Sequence, residues 1–144
     1  MSEEIAIPKK HHEILAANHQ GMLSTLRHKD GLISTNPVSY VFDGTRIRVS
    51  TIKNRIKYEN LRANPMVTLC VVHAEDPTRY VEVRGTATLE DDPEGVFLRH
   101  QFRETSGGAE APDDLDMPGT ERVIITIHPV QSSSPLLYGG RFSR

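Results

Sequence analysis

The chain has 144 residues, 37% of them hydrophobic, and a nearly balanced formal charge of −2. That length suits one domain with a real but modest core, which oligomerisation can enlarge. A charge so close to zero argues against bulk electrostatic attachment to nucleic acid or to an anionic membrane.

The single cysteine, Cys70, lies in an apolar run and reads as a small buried hydrophobe. With no intrachain disulfide possible, a reducing cytoplasm is the expected setting. Ser2-Glu3-Glu4 lacks the long apolar block of a signal peptide. No run approaches the roughly 20 apolar residues of a membrane span. The expectation is one domain over 1–144, with an N-terminal extension over 1–8 and a polar tail over 131–144.

Residues 9–18 read as a first helix, with Ile14, Leu15 and Ala17 as its apolar side and Pro8 suited to its start. Residues 22–27 form a strand, Asp30-Gly31 signals a hairpin, and 32–42 return as a second strand. Pro37 cannot donate to a ladder, so it should mark an edge or a bulge. Asp43-Gly44 makes another tight turn into a third strand over 46–51, where Ile47, Val49 and Thr51 alternate with Arg46, Arg48 and Ser50. These three strands make an antiparallel meander.

The chain then turns through Lys53-Asn54 into a short helix. Pro65 removes a donor and pushes Asn64 out of the α region, so that helix must stop there. Two hydroxyls (Ser50, Thr51) and three cations (Lys53, Arg55, Lys57) therefore gather at a helix start, where unpaired N–H groups favour an anion. With the helix beginning near Arg55, that side chain and Lys57 can converge on one anion. A solvated basic helix face accounts for the same composition.

Residues 66–72 are nearly all apolar, which calls for cover on both faces, one by the core and one by a helix or a second subunit. After the turn at Asp76-Pro77-Thr78, residues 80–90 alternate as a half-solvated strand, with Gly85 as a bulge or a close approach. Asp92 as N-cap and Pro93 at the first position should start a third helix, with Val96, Phe97 and Phe102 turned inward as far as about Glu104. Residues 105–119, with Asp113, Asp114 and Asp116, read as an exposed loop, and 122–130 as the last strand. Six mostly antiparallel strands with three short helices predict a mainly β fold, a small barrel with α additions. Its interior is too narrow for a large ligand, which would bind at the rim or in a dimer groove.

The histidines supply no metal motif. His11 and His12 are adjacent, the other five are dispersed, and no His-Glu-x-x-His occurs. There is no Gly-x-Ser-x-Gly elbow and no glycine-rich dinucleotide fingerprint after a strand. Tyr40, Tyr80 and Tyr138 can donate protons, but amphipathic packing is the more economical role for each.

Several pieces occur in a telling order. They are Gly21-Met22-Leu23-Ser24-Thr25-Leu26, Lys29-Asp30-Gly31, Ser34-Thr35-Asn36-Pro37-Val38, Val49-Ser50-Thr51, Arg55-Ile56-Lys57, Asn60-Leu61-Arg62-Ala63-Asn64-Pro65 and Val81-Glu82-Val83-Arg84-Gly85-Thr86-Ala87. The ordered set resembles the split-barrel flavin and deazaflavin oxidoreductases related to pyridoxamine phosphate oxidase, from about residue 9 to residue 130. The resemblance implies a six-stranded antiparallel FMN-binding split barrel, homodimeric, with two cofactor sites in grooves between subunits. The branch it looks most like, of small actinobacterial-type proteins, uses the deazaflavin coenzyme F420 rather than FMN.

By that resemblance, Arg55 and Lys57 hold the phosphate end of the cofactor, and Ser50 and Thr51 supply hydroxyls. Asn36, Pro37 and Val38 contact the tricyclic ring with Ile56 beside it, and Arg79 and Tyr80 come from the partner subunit. The implied activity is F420H2-dependent hydride transfer to a conjugated small molecule of quinone, enone or tetrapyrrole type. An FMN-dependent oxidase or reductase, and a non-catalytic binder of flavin or deazaflavin, are the alternatives on the same scaffold. The 105–119 loop and the serine-rich tail match no motif of the family.

Overall fold

A computed structural model describes residues 3–141. A short 3-10 turn (Lys9–His11) leads into α1 (His12–Ala17) and then β1 (Gln20–Leu26), β2 (Ile33–Ser39), β3 (Val41–Phe42) and β4 (Ile47–Ile52). There follow α2 (Ile56–Ala63), β5 (Met66–Val72), β6 (Tyr80–Asp91), α3 (Val96–Thr105) and β7 (Arg122–Ser133), with a second 3-10 turn over Leu137–Gly140.

All strand pairs are antiparallel, in the order β2-β1-β5-β6-β7-β4-β3. The two outermost strands of that order are consecutive in the chain with only Tyr40 between them, so the sheet curls back on itself as a half-barrel. The expected second strand is thus one course broken in two, which gives seven strands instead of six. Up to Ser39 it pairs with β1, and from Val41 with β4. Tyr40 makes the break: its N–H donates to His19 O at 3.0 Å, while its ring turns inward, 1% exposed, and its hydroxyl donates to Leu15 O at 2.7 Å. Pro37 sits opposite Met22 of β1, on a stretch with no second partner strand, as a residue lacking N–H requires.

The core fills the curl. Leu23, Tyr40, Ile47, Val49, Leu69, Val71, Val81, Val83, Ile125 and Ile127 are at most 1% exposed, and Ile14 and Leu15 of α1 pack onto the same cluster. Gly85 is a bulge and a close approach at once. The β6–β7 register shifts between Arg84 and Gly85, and a Cβ there would lie 2.1 Å from His128 O. β5 buries Val67, Leu69 and Val71 but leaves Met66 58% and Val72 47% exposed, and among the described residues no helix covers these two.

Several boundaries differ from expectation, from β1, which begins at Gln20 and not at residue 22, to two later elements. The third helix begins at Val96 behind Gly95 (φ 66°), not at Pro93. Residues 93–95 form a turn instead, closed by Gly95 N–H donating to Asp92 O at 3.0 Å. Asp92 still caps the helix from across that turn, its Oδ2 accepting from Leu98 N–H at 3.1 Å. Along this helix Phe97 and Gln101 are buried, while Val96, expected to face inward, is exposed. The last strand also runs on through Ser133, because Gln131, Ser132 and Ser133 keep pairing with β6. Among the described residues no helix is long and apolar enough to cross a membrane.

Candidate functional site

β4 delivers the chain to the basic junction. Its Val49 and Thr51 face inward, Thr51 being 5% exposed, while Ser50 faces outward under α3. There Ser50 N–H donates to Gln101 Oε1 at 2.9 Å, and its Oγ accepts from Arg122 Nη1 at 3.3 Å. The two hydroxyls therefore lie on opposite faces of one strand. Lys53 is also drawn away, its ammonium 3.2 Å from Asp91 and 3.3 Å from Glu121.

Arg55 and Lys57 are treated differently by the fold. Arg55 is the extended residue just before α2 (φ −90°, ψ 146°), with its N–H donating to Ile52 O at 3.1 Å. At the other end, Asn64 is extended (φ −149°, ψ 117°), as Pro65 requires. Arg55, Ile56 and Lys57 border an open hollow of about 460 Å³ whose far wall is Asn36 and Pro37 of β2. Among the described residues neither cation has a carboxylate partner. Lys57 is half-buried, and that burial, with the Arg55 charge beside it, holds its ammonium below the ordinary lysine value. Asn36 Oδ1 is buried and accepts no hydrogen bond from any described residue.

This chemistry has a definite preference. Two neighbouring cations, one of them partly desolvated, repel each other until an anion lies between them. Pro37 and Ile56 offer apolar surface, and Asn36 offers an unused acceptor. A ligand with a phosphate at one end and a flat heterocycle at the other meets each of these groups with a complementary one.

The remaining residues implied by the resemblance lie elsewhere in the chain. Val38 is 8% exposed and belongs to the core cluster. Arg79 forks onto Glu13 of α1 at 3.2 and 3.3 Å, and Tyr80 opens β6, its carbonyl accepting from Ser134 Oγ at 2.7 Å. Neither lines the hollow of its own chain. The Tyr40 hydroxyl is committed to Leu15 O, and burial pushes it above the ordinary tyrosine range. Sequence reasoning gave no task to Asn60, which is 1% exposed in the middle of α2. An amide on the buried side of a short helix is the signal that could have found it.

The known family described as pyridoxamine 5'-phosphate oxidase matches residues 7–132. Among solved structures, an F420 reductase is 31% identical with a TM-score of 0.78, over 88% of this chain and 98% of its own. An FAD-binding protein from Mesorhizobium loti is 24% identical (TM-score 0.61), over 90% and 95% of the two chains. An FMN-binding protein related to pyridoxamine 5'-phosphate oxidase, from Nostoc punctiforme, is 14% identical (TM-score 0.59), over 87% and 78%. No curated protein matches the chain. With a half-barrel of the expected class and a family match across nearly its whole length, this chain belongs to the pyridoxamine 5'-phosphate oxidase family.

Proposed function

We propose that the protein is an F420H2-dependent reductase acting on a small or medium conjugated molecule of quinone, enone or tetrapyrrole type. The observation that carries the reading is the hollow in which Arg55 and half-buried Lys57 face Asn36 and Pro37 without a carboxylate between them. The F420 reductase at 31% identity supports the deazaflavin in preference to a flavin. When bound, the deazaflavin supplies the hydride that the conjugated acceptor receives. The chain's part is to grip and orient: Arg55 and Lys57 take the phosphate, Pro37 and Ile56 flank the ring, and Asn36 Oδ1 accepts from a ring N–H. No carboxyl, hydroxyl or imidazole stands among the five lining side chains of one chain, and a proton from solvent would serve.

The second reading is FMN at the same phosphate contacts, favoured by the likeness to flavin-binding structures of the same fold. Side-by-side fluorescence titration with F420 and FMN separates the two. Micromolar or tighter binding of F420 with much weaker FMN binding is expected, followed by turnover with a quinone or enone acceptor. Tight binding without turnover across a broad acceptor panel would leave a carrier, and binding of neither would remove the assignment.

The same reading includes a homodimer. Met22, Met66 and Val72 lie exposed on the outer face of adjacent strands β1 and β5, and a second copy seated there would bury them. Arg79 and Tyr80, which do not serve their own hollow, would then be available to the partner's. Sedimentation should give a dimer at micromolar concentration and a monomer for Met66→Lys, with F420 affinity falling in step. A wild-type monomer at that concentration rules out the shared groove.

A further inference from the structure

We propose that Asn60 is a positioning residue for the anion site: its carboxamide clamps α2 onto β1 and so holds Lys57 at the wall of the hollow. The inference rests on the assignment of that hollow to the cofactor's phosphate.

Asn60 uses its amide in two directions at once. Its Oδ1 accepts from His28 N–H at 3.2 Å, and its Nδ2 donates to Thr25 Oγ1 at 3.0 Å. Both partners belong to β1 or the turn that leaves it, and Thr25 is itself only 3% exposed. Its backbone carbonyl, meanwhile, accepts from Asn64 N–H at 2.9 Å and closes the helix. A buried amide with both ends satisfied is directional, and a buried apolar side chain is not. Leu61, 3% exposed, fixes how deep α2 sits; the Asn60 pair fixes its rotation and its slide along β1.

That distinction matters because α2 is short. Eight residues make about two turns, too few to hold a helix in place by its own hydrogen bonds. Lys57 and Ile56 stand three and four positions before Asn60, so they share its side of the helix one turn away. A rotation of α2 about its axis therefore carries the Lys57 ammonium away from Arg55 and Asn36 and into solvent. The same amide borders a second hollow of about 190 Å³ behind Ile56, shared with Arg27, His28 and Lys29, so it also sets the gap on that side.

The test reads Lys57 directly in the ligand-free protein. Lysines are reductively ¹³C-methylated, and each signal is titrated by NMR in the wild type, Asn60→Ala, Thr25→Val and Thr25→Ser. In the wild type the Lys57 signal should titrate below the other lysines. It should move up to join them in Asn60→Ala and Thr25→Val, and stay low in Thr25→Ser, which keeps the hydroxyl. If Asn60→Ala fails to fold, the nearly isosteric Thr25→Val carries the test. A Lys57 titration unmoved in a variant whose melting shows a retained fold overturns the inference. F420 and FMN affinities of the same proteins form the second arm, with about a tenfold loss expected in Asn60→Ala and Thr25→Val. Unchanged affinity in those variants also overturns it. If the wild type binds neither cofactor, the functional assignment fails, and the lysine titration still decides whether Asn60 places Lys57.

Discussion

Replacing Lys57 with methionine should separate function from stability in opposite directions. Methionine keeps most of the aliphatic stem that lines the hollow and removes the ammonium. In the ligand-free protein that ammonium is half-buried, next to Arg55, with no carboxylate among the described residues to offset it. The folded state therefore binds the Lys57 proton less tightly than the unfolded chain does. Stability tied to this group rises with pH only as the pH passes through the lowered folded value, so at neutral pH the charge is a net cost to folding. Lys57→Met should melt at the same temperature as the wild type or higher.

Cofactor binding should move the other way. A charge-assisted contact to phosphate contributes about 1.5–3 kcal/mol, which converts to a loss of roughly 10- to 150-fold in affinity. Fluorescence titration and thermal melting on the same preparation measure both quantities. Affinity within about twofold of the wild type would show that Lys57 does not hold the phosphate. A melting temperature several degrees lower would show that the side chain is structural.

Two further outcomes follow from the framework around the site. Gly85→Ala drives a Cβ to 2.1 Å from the backbone oxygen of His128, where no side chain can yield. A loss of about 3 kcal/mol, or about 10 °C in melting temperature, is expected by calorimetry, and a drop under about 3 °C would mean that the β6–β7 bulge relaxes freely. Asp116→Asn breaks the forked contact with Arg122, whose Nε and Nη2 donate at 2.8 and 2.6 Å. The Arg122 guanidinium holds the Asp116 carboxyl below the usual carboxylate range, so its contribution is present above about pH 4 and fades as pH falls through the folded value. Denaturant melts should show Asp116→Asn weaker by about 1–2 kcal/mol at pH 7, with the gap closing as pH falls through the folded value; a difference independent of pH would refute the ionic account.

Much of the frame was legible because single residues dictated it. Pro37 demanded a stretch with one partner, Pro65 forced Asn64 into extended backbone, and Gly85 announced a place where no Cβ fits. The break at Tyr40 was not legible, since it depends on carbonyls of His19 and Leu15 that the fold brings beside it. The start of α3 was misplaced because Asp92-Pro93 has the wording of a helix start. Gly95 adopts the positive φ that turns the chain first, and Asp92 reaches over it. At the junction, the alternation of β4 already implied that adjacent Ser50 and Thr51 face opposite ways. The capture of Lys53 by Asp91 and Glu121 could not be read, because those carboxylates lie 38 and 68 positions further on (91 − 53 and 121 − 53).

The two walls of the hollow are hung on one strand. Asn36 and Pro37 are held by register opposite Leu23 and Met22 of β1, and α2 is tied through Asn60 to Thr25 of the same strand. A disturbance of β1 as a whole should therefore move both walls together and preserve their separation, whereas a disturbance of the Asn60 tie moves one. Gly21→Ala provides the contrast. Its Cβ would meet Leu69 Cδ1 at 2.9 Å, Val71 Cγ2 at 3.0 Å and Cys70 O at 3.1 Å, a crowding against β5, the strand beside β1 in the sheet, and not against either wall. Overpacking of that kind costs about 1–3 kcal/mol, so melting should fall by about 3–10 °C. F420 affinity measured well below the melting temperature should stay within about twofold of the wild type, since no phosphate contact is lost. A tenfold loss of affinity in Gly21→Ala, matching Thr25→Val, would mean that the spacing of Asn36 and Lys57 is set by the whole sheet and not by the tie at Asn60.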